Sequence, residues 1–187
     1  TCTAYSSYNY VTVVPDPGLS AATRTNSVIC AGGSSVFSST LSNGTGTVGY
    51  QWQYSSDNST WSNVAAGTPA GSTYTSPTTA SMTISGITAV GTYYYRLSAT
   101  VGGSGCTTPV YSASNTLQVV ADASLSAATR TNSVICAGGS SVFSSTLSNG
   151  TGTVGYQWQY YNGSSWVSVS NGTPTGSSYS GATSTSM

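Results

Sequence analysis

The sequence contains no lysine, no glutamate and no histidine. Its charged residues are Arg24, Arg96, Arg130, Asp16, Asp57 and Asp122, or 3% of the chain, against about a quarter in an average globular protein. These absences exclude whole classes of function. General acid–base catalysis needs His, Glu or a pair of Asp within reach of one substrate. Asp16 and Asp122 occupy equivalent positions a domain length apart, and Asp57 falls in a predicted hairpin turn. A Ser or Cys nucleophile would find no His or Lys to activate it. The chain is therefore not expected to be an enzyme or to carry a cofactor.

Calcium-stabilised repeats need clusters of Asp and Glu, which are missing. With a net charge of zero there is no basic patch to neutralise phosphates, so nucleic acid is not an expected partner. No apolar run approaches the roughly 20 residues of a membrane span. GTGTVG (44–49) has the glycines of a phosphate loop but no following lysine, and reads as a turn. No stretch shows the 3.6-residue apolar period of a helix.

Ser and Thr fill more than a third of the chain, with abundant Gly and Tyr. Such a composition suggests disorder, but the apolar residues are Val, Ile, Tyr and Trp in short alternating runs. The chain reads as all-β. The clearest strand is VGYQWQY (48–54), with Val48, Tyr50, Trp52 and Tyr54 on one face. SMTISGI (81–87) points Met82 and Ile84 inward. GTYYYRLSATV (91–101) points Tyr93, Tyr95, Leu97, Ala99 and Val101 inward, and leaves Arg96 on the solvent face against Tyr94. SSVFSSTL (34–41) supplies Phe37 and Leu41, and SNTLQVV (114–120) closes the domain with Leu117 and Val119.

A long internal repeat sets the organisation. Leu19–Tyr54 recurs without a change as Leu125–Tyr160. Beyond it the copies stay alignable: Trp61 matches Trp166, GTPAGSTY (67–74) matches GTPTGSSY (172–179), and Met82 matches Met187. Residues 2–16 resemble residues 106–122. The expected domains are 1–17, the final strand of a preceding repeat; 18–122, a complete repeat; and 123–187, the first part of a following one. On this reading the chain is a portion of a longer tandem array. The joints are short, and VVPDPGLS (13–20) is stiffened by two prolines, so the array is expected to be a semi-rigid rod.

Trp52 in a mid-domain strand, followed by ISGITAVGTYYYR (84–96), resembles the core tryptophan and tyrosine corner of the immunoglobulin fold, with Tyr93 as the corner residue. The cysteine that antibody domains place two residues later is Tyr95 here, so that family's inter-sheet disulfide is absent. The order ICAGG (29–33), YQWQYS, Trp61, GTYYYRL and Gly105-Cys106 is similar to the Ig-like repeats of very large Bacteroidota surface proteins. Those include gliding-motility adhesins exported by the type IX secretion route. The resemblance implies tandem Ig-like antiparallel β-sandwiches, with Trp52, Tyr93, Tyr95, Leu97 and, in the second copy, Trp158 in the cores. It also implies an extracellular, structural or adhesive role.

The four cysteines recur one early and one late per repeat. The periodic reading pairs Cys30 with Cys106, and Cys2 and Cys136 with residues outside the sequence. A bridge closing about 75 residues would contribute about 4 kcal/mol and implies an oxidising compartment. Metal binding is the weaker reading, because no His or CxxC spacing accompanies the cysteines.

Trp61 and Trp166 are the candidates for stacking on sugar rings, with covering of a sheet edge as the plainer role. The Asn-x-Ser/Thr sequons at Asn43, Asn58, Asn149, Asn162 and Asn171 carry little weight, and the hydroxyl-rich faces are a broader candidate for O-linked glycans. Expected partners are neighbouring repeats of the same chain, homotypic lateral contacts in a filament, and surface polysaccharide. Two alternatives accompany this reading: a carbohydrate-binding or spacer module of a secreted enzyme, and a fibre subunit assembled by strand exchange.

Overall fold

The computed structural model of the protein describes residues 1–103 and 109–187. The chain divides into two compact units, Thr1–Val119 and Val120–Met187.

Unit 1 begins with 17 residues that form no strand. Its strands then run β1 (Gly18–Leu19), β2 (Thr23–Arg24), β3 (Val28–Cys30), β4 (Ser34–Ser38), β5 (Leu41–Ser42) and β6 (Thr47–Ser55). They continue with β7 (Ser62–Asn63), β8 (Thr73–Thr75), β9 (Ser81–Ser85), β10 (Gly91–Gly102), β11 (Val110–Tyr111) and β12 (Asn115–Val120), whose last residue falls in the second unit. Two larger sheets result, beside the short antiparallel pair of β1 with β5. One has the order β2-β4-β9-β8, and the other β3-β12-β10-β6-β7 with β11 also on β10. The long pairing of β10 with β6, from Tyr94↔Ser55 to Gly102↔Thr47, is the spine of the second sheet.

The sheets form an all-β sandwich because each strand alternates side chains between two faces. Phe37, Met82 and Ile84 enter from the first sheet, and Trp52, Tyr95, Leu97 and Leu117 from the second, all with no exposed surface. The Phe37 ring meets Trp52 edge-on at 6.1 Å and tilts against Tyr95 at 4.9 Å, contacts that tie the layers together. Trp52 Nε1 donates to the Thr79 carbonyl at 3.0 Å, so burying the indole leaves no polar atom unpaired. Tyr93 Oη donates to the Ala89 carbonyl, four residues upstream, at 2.9 Å.

β10 changes neighbours part-way along its length. It pairs with β12 as far as Tyr95↔Asn115 and with β11 from Ser98↔Tyr111 onward. Leu97 lies at the changeover, where Ser112 serves it: the Leu97 amide donates to Ser112 Oγ, and the Ser112 amide to the Leu97 carbonyl, both at 2.9 Å. The hydroxyl thus fills a buried gap in the ladder.

Unit 2 contains β13 (Ser124–Leu125), β14 (Thr129–Arg130), β15 (Phe143–Ser144), β16 (Leu147–Ser148), β17 (Gln159–Tyr161) and β18 (Trp166–Ser168). It repeats the local frame of unit 1. Thr129↔Ser144 reproduces Thr23↔Ser38, and Trp158 Nε1 donates to the Ser184 carbonyl at 2.8 Å. Residues 120–187 include no counterpart of β10 or most of β12, and burial differs accordingly. Ile29 is 6% exposed and its counterpart Ile135 52%. Trp158, expected in a core, is only half-buried, because nothing in unit 2 corresponds to the Tyr95, Leu97 and Leu117 that cover Trp52.

Candidate functional site

The outer face of the β10-containing sheet in unit 1 carries a connected cluster of polar and aromatic side chains around Arg96. β10 alternates, so Tyr94, Arg96 and Ser98 point away from the core that Tyr95 and Leu97 enter. Arg96 stands opposite Gln53 of β6, and its Nε donates to Gln53 Oε1 at 2.9 Å. Gln53 Nε2 in turn donates to Asn63 Oδ1 at 3.3 Å on β7. The guanidinium carbon lies 4.3 Å from the centre of the Trp61 ring and 4.2 Å from that of Tyr111. Arg96 is therefore stacked between two aromatic planes, a geometry in which cation and quadrupole attract. Burial lowers its pKa, and the nearby Tyr111 hydroxyl works the other way.

This stack differs from one sequence expectation and adds a neighbour to a second candidate residue. Arg96 was expected against Tyr94, its neighbour along the strand, but lateral neighbours in the sheet lie closer, and β7 and β11 bring Trp61 and Tyr111 onto it. Trp61, a candidate for stacking on a sugar, has the Arg96 guanidinium over its ring and is half-buried. Its counterpart Trp166 is 66% exposed and leans on Tyr161 with centroids 5.6 Å apart. Sequence reasoning passed over Tyr111, whose role depends on the Ser98↔Tyr111 pairing and not on any motif.

The turns between the paired hairpin strands use one device in both units. Asp57 Oδ1 accepts from the Thr60 amide at 2.7 Å, the Ser59 amide at 2.8 Å and Ser55 Oγ at 2.8 Å. In unit 2, Asn162 Oδ1 accepts from the Ser164 and Ser165 amides, both at 2.9 Å. The Asn162-Gly163 step reads from sequence as a two-residue hairpin, yet Tyr161 pairs with Trp166, so the loop has four residues and the Asn side chain organises it.

The Thr60 and Ser59 amides and the Ser55 hydroxyl hold the Asp57 carboxyl well below the usual carboxylate range. A group depressed in the folded state contributes stability above its unfolded pKa of about 3.9 and loses it as pH falls below that. The thermal midpoint of unit 1 is expected to drop as pH is lowered from 5 towards 2. Asp57→Asn, the residue type that serves at Asn162, is expected to keep the fold and flatten that drop. Circular dichroism melts across the pH series measure both; an unchanged slope in the variant would remove Asp57 from the account.

Cys30 is half-buried at the end of β3, and Cys2 and Cys136 are exposed; these three form no disulfide among the described residues. Cys106, the expected partner of Cys30, lies outside the described residues. No group of three or more His, Cys, Asp or Glu that could hold a metal occurs among the described residues. No described helix is long and apolar enough to cross a membrane. No protein-family model matches the chain, and neither does any curated protein.

Proposed function

We propose that the chain is part of an extracellular, non-catalytic repeat protein whose Ig-like domains, linked by short joints, form a stiff spacer or fibre with adhesive surfaces. The observation that carries this reading is the recurrence of Leu19–Tyr54 as Leu125–Tyr160. Selection for a catalytic pocket constrains one site, whereas selection for a repeated mechanical element constrains every copy alike. Support for the Ig-like kinship comes from the fully buried Trp52 and from the Tyr93 hydroxyl bonded to the Ala89 carbonyl. The near-absence of charge removes repulsion between neighbouring or laterally packed repeats. A Cys30–Cys106 bridge within the 18–122 repeat belongs to the same proposal and would place the protein in an oxidising compartment.

A second reading, a fibre assembled by strand exchange, draws on one observation. Val11 and Val13 are each 91% exposed, yet they align with Leu117 and Val119, which are buried in unit 1. A denaturing gel of native material separates the two. One very large polypeptide is expected; a small protomer would favour exchange and defeat the covalent array.

A further inference from the structure

We propose that Arg96, clamped between Trp61 and Tyr111, is a binding site for the carboxylate of an acidic saccharide. A guanidinium has five N–H donors. Gln53 takes the one on Nε, and no hydrogen bond engages the terminal nitrogens among the described residues. Among the described residues of unit 1, no carboxylate pairs with Arg96. Within unit 1, Asp57 is committed to its own turn, and Asp16 makes no hydrogen bond to Arg96 among the described residues. Ser104–Thr108, outside the described residues, include no acid. The structure thus holds an oriented cation whose terminal N–H groups have no hydrogen-bond partner among the described residues.

The two rings determine what can reach it. The guanidinium carbon lies over both rings, at 4.3 and 4.2 Å, and Gln53 takes Nε, so the edge left to a ligand is that of the terminal nitrogens. That is the edge at which a carboxylate accepts two parallel N–H bonds. The stack and the bond to Gln53 fix the side chain before any ligand arrives, so little rotamer entropy remains to be lost on binding. Around it the sheet presents amides and hydroxyls, Gln51, Gln53, Asn63 and Thr100, and Tyr111 leaves 45% of its surface exposed. Hydroxyl-rich sugar rings suit such a face better than the apolar side chains of a peptide, and an exposed tyrosine can lie against the C–H face of a sugar.

The proposal deepens the adhesive reading by naming a ligand class. It fails independently of that reading, since the length of the native polypeptide and the affinity of Arg96 are separate measurements. The test titrates the 187-residue chain with oligogalacturonate at low ionic strength and follows the Arg96 Nε–H and Trp61 indole N–H resonances. A saturable shift of both is expected. Arg96→Lys, which keeps the charge and loses the planar fork, is expected to weaken binding about tenfold or more, with an unaltered spectrum elsewhere. Val134→Ala, at an exposed residue of unit 2, should bind as the parent does, and the methyl-esterified oligomer should not bind.

Absence of saturation would overturn the proposal, as would equal binding of the methyl ester or undiminished binding by Arg96→Lys. Tighter binding of a sulfated saccharide or of a Glu-rich peptide would assign the stack to another ligand. Self-association abolished by Arg96→Lys would assign it to a second copy of the chain. Each of these also overturns it.

Discussion

Replacing Trp52 by alanine is expected to destabilise unit 1 by about 3–5 kcal/mol. The indole has no exposed surface, meets Phe37 edge-on and donates to the Thr79 carbonyl. Removing it therefore opens a cavity between the two sheets and leaves that carbonyl without its partner. Domains of this size have total stabilities of about 5–15 kcal/mol, so the loss is a large fraction of what holds unit 1 together. Its thermal transition should fall by about 15 °C or more. Trp158→Ala, in the same local sequence, is expected to leave that transition in place, because the residue belongs to the other unit and is only half-buried. Thermal melts of the two variants make the comparison, and equal losses would contradict it.

Gly86→Ala is expected to cost about 2–4 kcal/mol. Gly86 follows β9 with φ of +77°, and Gly71 faces it with φ of +81°. A Cβ on Gly86 would lie 2.7 Å from the Gly71 carbonyl oxygen, and one on Gly71 would run into the Gly86 carbonyl. Backbone thus meets backbone with no flexible side chain to give way, just ahead of the Tyr93 corner. Gly67→Ala is the control. Its φ is +83°, but an added Cβ meets nothing within 4 Å, so only the conformational term of about 1–2 kcal/mol applies. Chemical denaturation of both variants tests the difference, and a cost at Gly86 no greater than at Gly67 would show that the close approach relaxes freely.

The alternation of Tyr93, Tyr95 and Leu97 made the inner face of β10 readable from sequence, because a strand's period of two needs no knowledge of its partners. What lay on its outer face was not readable. Tyr94 is two residues from Arg96 in sequence, whereas Trp61 and Tyr111 reach it only through the pairings of β6 with β7 and of β10 with β11. The four-residue turn at Asn162 escaped for a related reason. Asn-Gly favours a tight turn locally, but the Tyr161↔Trp166 register and the amide cap on Ser164 and Ser165 decide otherwise.

The duplicated segment separates local from global information most sharply. The identical sequences 47–54 and 153–160 form most of a nine-residue strand in unit 1 and only the start of a three-residue one in unit 2. In unit 1 that strand lies against β10 from Tyr94 to Gly102. Strand length and burial are thus properties of the partner, and no reading of the duplicated residues alone recovers them.

The central claim, a stiff array of like domains, is tested most directly by imaging native material and measuring its axial periodicity. The twelve residues of β10, at about 3.3 Å each, span roughly 40 Å, the scale expected of one domain along the array. The account predicts extended filaments with a regular axial repeat near that value. Isolated compact particles, or flexible chains without periodicity, would contradict it.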